Sequence, residues 1–145
     1  MAATAIHGKA GRVEFNTGAI ASVVSWSINA TCGTTDATAM SSVALTAATH
    51  WKTALVGFKN WTATVECLFD DGGLDPDLTT DIADADGAAL VLYTSIAATA
   101  GRMYTGNAIV TNISPTADAH GNITVTYSFQ GSDSLADAES NYTPA

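Results

Sequence analysis

The sequence predicts a mainly β, antiparallel protein with one short α-helix and a long loop between its early strands. Three observations carry this. Residues 122–130, Asn-Ile-Thr-Val-Thr-Tyr-Ser-Phe-Gln, alternate polar and apolar without a break, as a strand with two unlike faces must. Two further stretches, 20–30 and 61–69, hold the same alternation over 24–29 and 61–67. One stretch, 75–85, carries helix punctuation instead.

Residues 1–10 are small and polar and read as an N-terminal arm. Arg12 to Phe15 is a short strand with Val13 and Phe15 on one face, turned by Asn16-Thr17-Gly18. In the next strand Val24, Trp26 and Ile28 point one way, and Ser25, Ser27 and Asn29 the other. Residues 31–59 show neither period over their first part and read as a long loop, a kind of segment that is usually functional. Most of 31–50 is expected to be extended or disordered in an isolated monomer. Trp61, Ala63, Val65, Cys67 and Phe69 share one parity of the following strand, opposite Thr62, Thr64 and Glu66.

Asp75 can cap a helix, Pro76 suits its first position, and Asp77 complements the positive end of its dipole. Leu78 and Ile82 lie four apart, on one helical face, and Gly87 is a natural stop. Ala88 to Thr94 is an apolar run, read as a strand buried on both faces. Residues 105–132 then form a long antiparallel hairpin. Its first strand sets Ile109, Thr111 and Ile113 on one face; its turn is Ser114 to Gly121. Its second strand sets Ile123, Val125, Tyr127 and Phe129 against Asn122, Thr124, Thr126, Ser128 and Gln130. Residues 132–145 are acidic and small and read as a loosely held C-terminal tail. No repeat or second domain is visible, so 1–145 is taken as one domain.

A chain of 145 residues can bury an adequate core, roughly 68–70% of its unfolded surface. Only 13% of it is charged, against a usual share of about 25%. A surface so poor in charge suits a protein covered largely by other protein. Five basic residues face fourteen acidic ones, and Lys9, Arg12, Lys52, Lys59 and Arg102 are scattered. That excludes a basic footprint for gripping nucleic acid phosphates. No apolar run approaches the ~20 residues of a membrane span, and the first residues lack a signal peptide pattern; synthesis in a cytoplasm is expected.

Enzyme chemistry finds little support. His7, His50 and His120 fall in expected loops or arms, at no metal-ligand spacing, and no P-loop, GxGxxG or GxSxG occurs. Cys32 and Cys67 form neither a metal motif nor a CxxC pair; Cys67 reads as a buried free thiol. Glu66, Asp70, Asp71, Asp75, Asp77, Asp81, Asp84 and Asp86 make an acidic cluster. It lacks the order of an EF-hand and reads as capping plus a solvated patch, or as an electrostatic surface toward a neighbouring subunit. No cofactor is expected. Trp26 and Trp61 belong to the core by parity. Trp51, with Lys52, Asp36 and Met40 of the same loop region, is a candidate contact between subunits.

Two stretches resemble a known family. Tyr104 to Ser114, followed by Ile123 to Ser132 (Ile-Thr-Val-Thr-Tyr-Ser-Phe-Gln-Gly-Ser), is similar to the closing strands of siphophage major tail tube proteins. Gly57-Phe58-Lys59-Asn60-Trp61-Thr62-Ala63-Thr64-Val65 resembles that family's lead-in to an earlier strand. Asp133 stands where the family pattern has Gly. The resemblance implies an antiparallel β-sandwich or barrel flanked by one helix, and hexameric rings stacked into a hollow virion tube that conducts the genome. It implies self-association, with tape-measure, tail-tip and tail-terminator proteins as partners, and DNA passing without specific binding. Related subunits occur in gene transfer agents and secretion tubes. Residues 31–59 would be an assembly loop. Ser25, Ser27 and Asn29, or Thr124, Thr126 and Ser128, or both sets, are candidates for the lumen wall. Two alternatives are an Ig-like decoration or binding module of a virion or cell surface, and a bacterial secretion-tube subunit carrying protein.

Overall fold

A computed structural model describes residues 11–20, 22–36, 54–69, 76–82, 84–96 and 101–139. Seven strands follow one another: β1 (Arg12–Phe15), β2 (Gly18–Ala19), β3 (Val23–Asp36), β4 (Ala54–Leu68), β5 (Ala88–Tyr93), β6 (Arg102–Thr116) and β7 (Thr124–Glu139). They form one sheet in the order β2-β1-β5-β6-β7-β4-β3, with every neighbouring pair antiparallel. The expected hairpin at 105–132 is the β6–β7 pair near the centre of the sheet.

The sheet is rolled rather than flat. Phe15 on β1 and Phe129 on β7 are three strands apart in the order, which in a flat sheet means roughly 14 Å. Their ring centroids are 5.2 Å apart. Trp26 on β3 and Tyr104 on β6 meet in the same way, edge to face at 6.1 Å. The enclosed core consists of Val13, Phe15, Leu90, Leu92, Ala108, Val110, Ile113, Val125, Tyr127, Phe129, Trp61, Ala63, Val65 and Cys67, with Ile20 beside them. Apolar residues on one face of every long strand leave the rolled sheet no other way to keep water out.

Several expectations change. The helix expected over 75–85 is a single turn: the Asp81 N–H donates to the Asp77 carbonyl at 3.2 Å, and no helix occurs among the described residues. The aspartates begin it. The Asp77 N–H is taken by Asp81 Oδ2 at 2.7 Å and the Thr79 N–H by Asp77 Oδ1 at 2.7 Å, bonds that satisfy the partnerless donors of a helix start, but the next N–H in reach, that of Asp84, turns back only three residues, to the Asp81 carbonyl at 3.4 Å. Ile82 instead makes a parallel bridge to Val110. The long loop expected over 31–59 is strand at both ends, since β3 continues to Asp36 and β4 begins at Ala54. The expected tail is strand as far as Glu139, because 131–139 pair with the first half of β6. The N-terminal arm lies outside the described residues.

Parity fails at two places for one reason. A register shift between Val23 and Ser25 turns Val24 outward, 59% exposed, and Val23 packs on the core instead. A second shift between Val110 and Asn112 makes Ala108, Val110 and Ile113 the buried set of β6, not Ile109, Thr111 and Ile113. An extra residue in one strand re-phases everything beyond it. Ile123 precedes β7 and is exposed.

Candidate functional site

The outer face of the β6-β7-β4-β3 half of the sheet collects the polar parity of four strands. Directly paired residues lie side by side on one face, so the ladders can be read as rows. Ser27 pairs with Thr64, Thr64 with Ser128, and Ser128 with Asn112. Ser25 pairs with Glu66, Glu66 with Thr126, and Thr126 with Ser114. Asn29 pairs with Thr62 and Thr62 with Gln130. Thr124 closes the series opposite Leu68 and Thr116.

The two sets of residues picked out in the sequence thus belong to one surface, joined through β4. Ser25, Ser27 and Asn29 are exposed on the outermost strand. Thr124, Thr126 and Ser128 are half-buried because β7 is flanked on both sides. Thr62, Thr64 and Glu66 of β4, with Asn112 and Ser114 of β6, complete it. Their polar parity on β4 was visible in the sequence; their place between the two sets was not, since strand order is not written in a local pattern. Glu66 is the one ionisable side chain in these rows. The rest are hydroxyls and amides, which exchange hydrogen bonds with water and hold no ion strongly. Near one end Gln130 Nε2 donates to Asn60 Oδ1 at 2.5 Å and to the Trp61 carbonyl at 3.2 Å.

Among the described residues both margins of this surface are open. Among the described residues no strand lies on the outer side of β3. On the other margin β5 pairs with β6 only as far as Ala108 and Ile82 bridges Val110, so among the described residues no strand flanks β6 from Thr111 to Thr116 on that side. The alternating ladders run β6 opposite in direction to β3.

β4 pairs with β7 from Thr62 to Leu68 only. Beyond that point β3 and β4 continue as a two-stranded arm, residues 31–36 against 54–60, exposed throughout. Asp36, the candidate contact, ends the arm opposite Ala54; Met40, Trp51 and Lys52 lie outside the described residues. The arm carries contact candidates that the sequence reading passed over as loop: Leu55, Val56 and Phe58, the last 96% exposed. Where β4 and β7 part, Ala30, Cys32, Lys59, Trp61, Gly131 and Leu135 border a cleft of about 700 Å³.

Metal chemistry finds no grouping: among the described residues no three His, Cys, Asp or Glu side chains converge. The carboxylates of the acidic turn serve the backbone. Asp77 accepts from the Thr79 N–H and hydroxyl, and these bonds hold its carboxyl below the ordinary value. Asp84 accepts from the Asp86 N–H at 3.2 Å. Asp70, Asp71 and Asp75 lie outside the described residues.

No protein-family model and no curated protein matches the sequence. Solved structures match the fold. A chain of the virion of a native gene transfer agent particle superposes with a TM-score of 0.72 at 17% identity, over 92% of this chain and 99% of that one. A chain of the sheath–tube complex of an extracellular contractile injection system gives 0.67 at 13% identity, over 94% and 93%. The SPP1 tail tube gives 0.63 at 12% identity, over 94% and 80%. The chain therefore shares the fold of proteins from tail and injection-tube assemblies, and the resemblance read from its C-terminal strands holds at the level of the fold.

Proposed function

We propose that this chain is a structural tail tube subunit whose copies join edge to edge into rings, taken as hexameric from the family resemblance. The rings stack into a hollow conduit through which DNA enters a host cell. The observation that carries the reading is the polar four-stranded face with two open margins. An unpaired strand edge is a template for another strand. Because β6 and β3 run in opposite directions, the β6 margin of one copy can continue the β3 margin of the next as an antiparallel ladder. Such a head-to-tail contact closes into a ring when its rotation closes. Six copies of four strands make a barrel of about 24, wider than the 16–18-stranded barrels that already leave an aqueous channel.

The chemistry of the face fits a bore. Ser25, Ser27, Asn29, Thr124, Thr126 and Ser128, with Thr62 and Thr64 between them, offer a wetted neutral wall. Glu66 and a net charge of −9 repel phosphate rather than hold it. In such an assembly the tube would meet tape-measure, tail-tip and tail-terminator proteins, and its place is the virion. A tube carrying protein is the second reading, favoured by the likeness to a chain of an injection system; the genes beside this one separate the two.

Negative-stain electron microscopy of the purified protein across a concentration series tests the proposal. Rings or hollow tubes of uniform width are expected. A chain that stays monomeric throughout, with an ordered arm, favours the decoration-module reading instead.

A further inference from the structure

The two margins of the polar face carry their free backbone groups on the same parity. Along a strand the N–H and C=O of successive residues point to alternate sides. The Leu68 N–H reaches the Ser22 carbonyl on the β3 side at 3.0 Å, and the Phe69 N–H the Ile123 carbonyl on the β7 side at 2.9 Å. By alternation Thr62, Thr64 and Glu66 also face β3, and Ala63, Val65 and Cys67 face β7. Carried outward through the ladders, the residues whose backbone groups face the outer margin are Trp26, Ile28 and Ala30 on β3, and Ile113 and Pro115 on β6. Pro115 agrees with this. It has no N–H, yet β6 pairs with β7 unbroken from Asn112 to Thr116, because the missing donor lies on the margin side. All five residues are on the core-facing parity. Hydrogen-bonded partners in an antiparallel ladder share a face, so the margins join only with polar face running into polar face.

Geometry then restricts the register. In a flat ring of copies that give four strands each, each copy shifts the register by a fixed number of residues. The tangent of the strand tilt is that shift times the rise of about 3.4 Å, divided by the width of four strands, about 19 Å. The number of copies cancels, and parity admits even shifts only. Shifts of two, four and six residues give tilts of about 20°, 35° and 47°, and barrels tilt by about 35–45°, which selects four. Chirality sets the direction. Seen from the core side with β4 running upward, an L-residue facing the viewer directs its N–H and C=O to the right. Hence β7 lies to the right of β4 and β3 to the left. With the right-handed tilt that follows from strand twist, a path along the hydrogen bonds from β3 to β6 meets the next β3 nearer its C-terminal end. Ser27 leads through Thr64 and Ser128 to Asn112, and the residue four beyond Ser27 is Thr31.

We propose that the β6 margin of one copy pairs with the β3 margin of the next in a single register: Asn112 opposite Thr31, Ser114 opposite Asn29, Thr116 opposite Ser27. This rests on the tube reading and adds which residues meet and how steeply the strands tilt. The occupant is a second copy because one chain carries both margins, matched in direction and parity. The ladder is short. Ile82 occupies β6 at Val110, Ile113 exchanges two bonds with Ala30, and Pro115 accepts one from Ile28. The row Ser27–Thr64–Ser128–Asn112 continues into Thr31, which joins the wall, and the row of Glu66 continues from Ser114 into Asn29.

The test uses the full chain, assembled, in a Cys32→Ser background. Asn112 and Thr31 form a non-hydrogen-bonded pair with Cα atoms about 4.5 Å apart, within disulfide reach. Residues two positions to either side lie at about 8 Å, beyond it. Asn112→Cys protein mixed with Thr31→Cys protein is expected to give, on mild oxidation, at least about tenfold more mixed dimer than mixtures with Asn29→Cys or Gly33→Cys. All four positions are exposed, and near-UV circular dichroism checks that each variant is folded. Cryo-electron microscopy of wild-type tubes reads the tilt independently, with about 35° expected. A cross-link that prefers Asn29→Cys or Gly33→Cys, or a tilt near 20° or 47°, overturns this register and leaves the ring reading standing. Rings in which Asn112→Cys links to none of the three overturn the pairing of these margins. Wild-type protein without rings at any concentration overturns both readings.

Discussion

The indole of Trp61 lies against the backbone of Gly131, one step beyond the last paired residues of their two strands, Thr62 and Gln130. Its Nε1–H donates to the Asp133 carbonyl at 2.8 Å. The position that departs from the family pattern thus contributes through its main chain. A Cβ at residue 131 would fall within the indole, and one at Gly106 would come within 2.6 Å of Trp61 Cζ2. The two short motifs singled out in the sequence, around Gly57–Val65 and Tyr127–Ser132, are therefore one packing unit.

Gly131→Ala should cost about 3 kcal/mol, at the upper end of overpacking penalties. Urea unfolding followed by tryptophan fluorescence is expected to show a lower midpoint with an unchanged m-value. A loss under about 0.5 kcal/mol, the range of ordinary surface changes, would mean that the ring lies elsewhere.

Replacing either of two adjacent valines tests the bulge at the start of β3. Val24→Ser should change stability by no more than about 0.5 kcal/mol, as on any exposed site. Val23→Ser should cost about 1–2 kcal/mol through lost apolar burial. The order is the reverse of what simple alternation predicts, and chemical denaturation of the two variants decides it.

That reversal marks where the sequence was readable. On β4 and β7 the pairing between 62–68 and 124–130 runs without a shift, and alternation placed Val65, Cys67, Val125, Tyr127 and Phe129 in the core correctly. On β3 and β6 a bulge intervenes and alternation named Val24 and Thr111 wrongly. The strand at 132–139 was illegible because Ser-Asp-Ser-Leu-Ala-Asp-Ala-Glu has little apolar rhythm; pairing with 102–106 makes it a strand. The helix signals around Asp75, Pro76 and Asp77 describe how a helix begins and say nothing of how far it runs, and only one turn follows. Of the candidate surface, the neutral character of Ser25–Asn29 and Thr124–Ser128 was legible residue by residue. That they form one face was not, because it depends on β4 lying between them.

The thiols should report the core directly. Cys67 is buried and its Sγ–H points at the Val125 carbonyl at 3.6 Å, whereas Cys32 is exposed. A thiol reagent is expected to modify one group per folded chain quickly and the second only on unfolding. Fast reaction of both would place Cys67 outside the core.

Charge on the proposed bore can be set one residue at a time. Ser27→Lys and Ser128→Lys change exposed or half-exposed positions of one row, so the fold should persist. In assembled particles each is expected to slow DNA delivery by holding phosphate, most strongly at low salt. Unchanged infectivity in both variants would remove these residues from the lumen wall.

The acidic turn makes a pH prediction. The Asp77 carboxyl sits below its ordinary value because the Thr79 N–H and hydroxyl donate to it. A carboxylate lowered on folding stabilises the turn above its unfolded value, and that contribution disappears as pH falls through the folded one. A carboxyl NMR titration of Asp77 should show the low midpoint, and Thr79→Val, which keeps the backbone donor, should raise it partway.

The strand order also sets a timetable for a chain that grows from one end. β3 and β4 are neighbours in sequence and can pair early, yet Trp61 must wait for Asp133, 72 residues later. At a synthesis rate of about 5–20 residues per second that is roughly 4–14 s. Through that interval a half-made subunit presents the indole beside the apolar arm, with the core side of β4 uncovered. Any copy nearby is a competing partner before it is a correct one. Completion of β7 closes the β4 side of the core, so the C-terminal strand times as well as holds the fold: a ribosome stalled before residue 124 releases a chain ready to clump, and one that passes 133 releases a chain that can bury its indole.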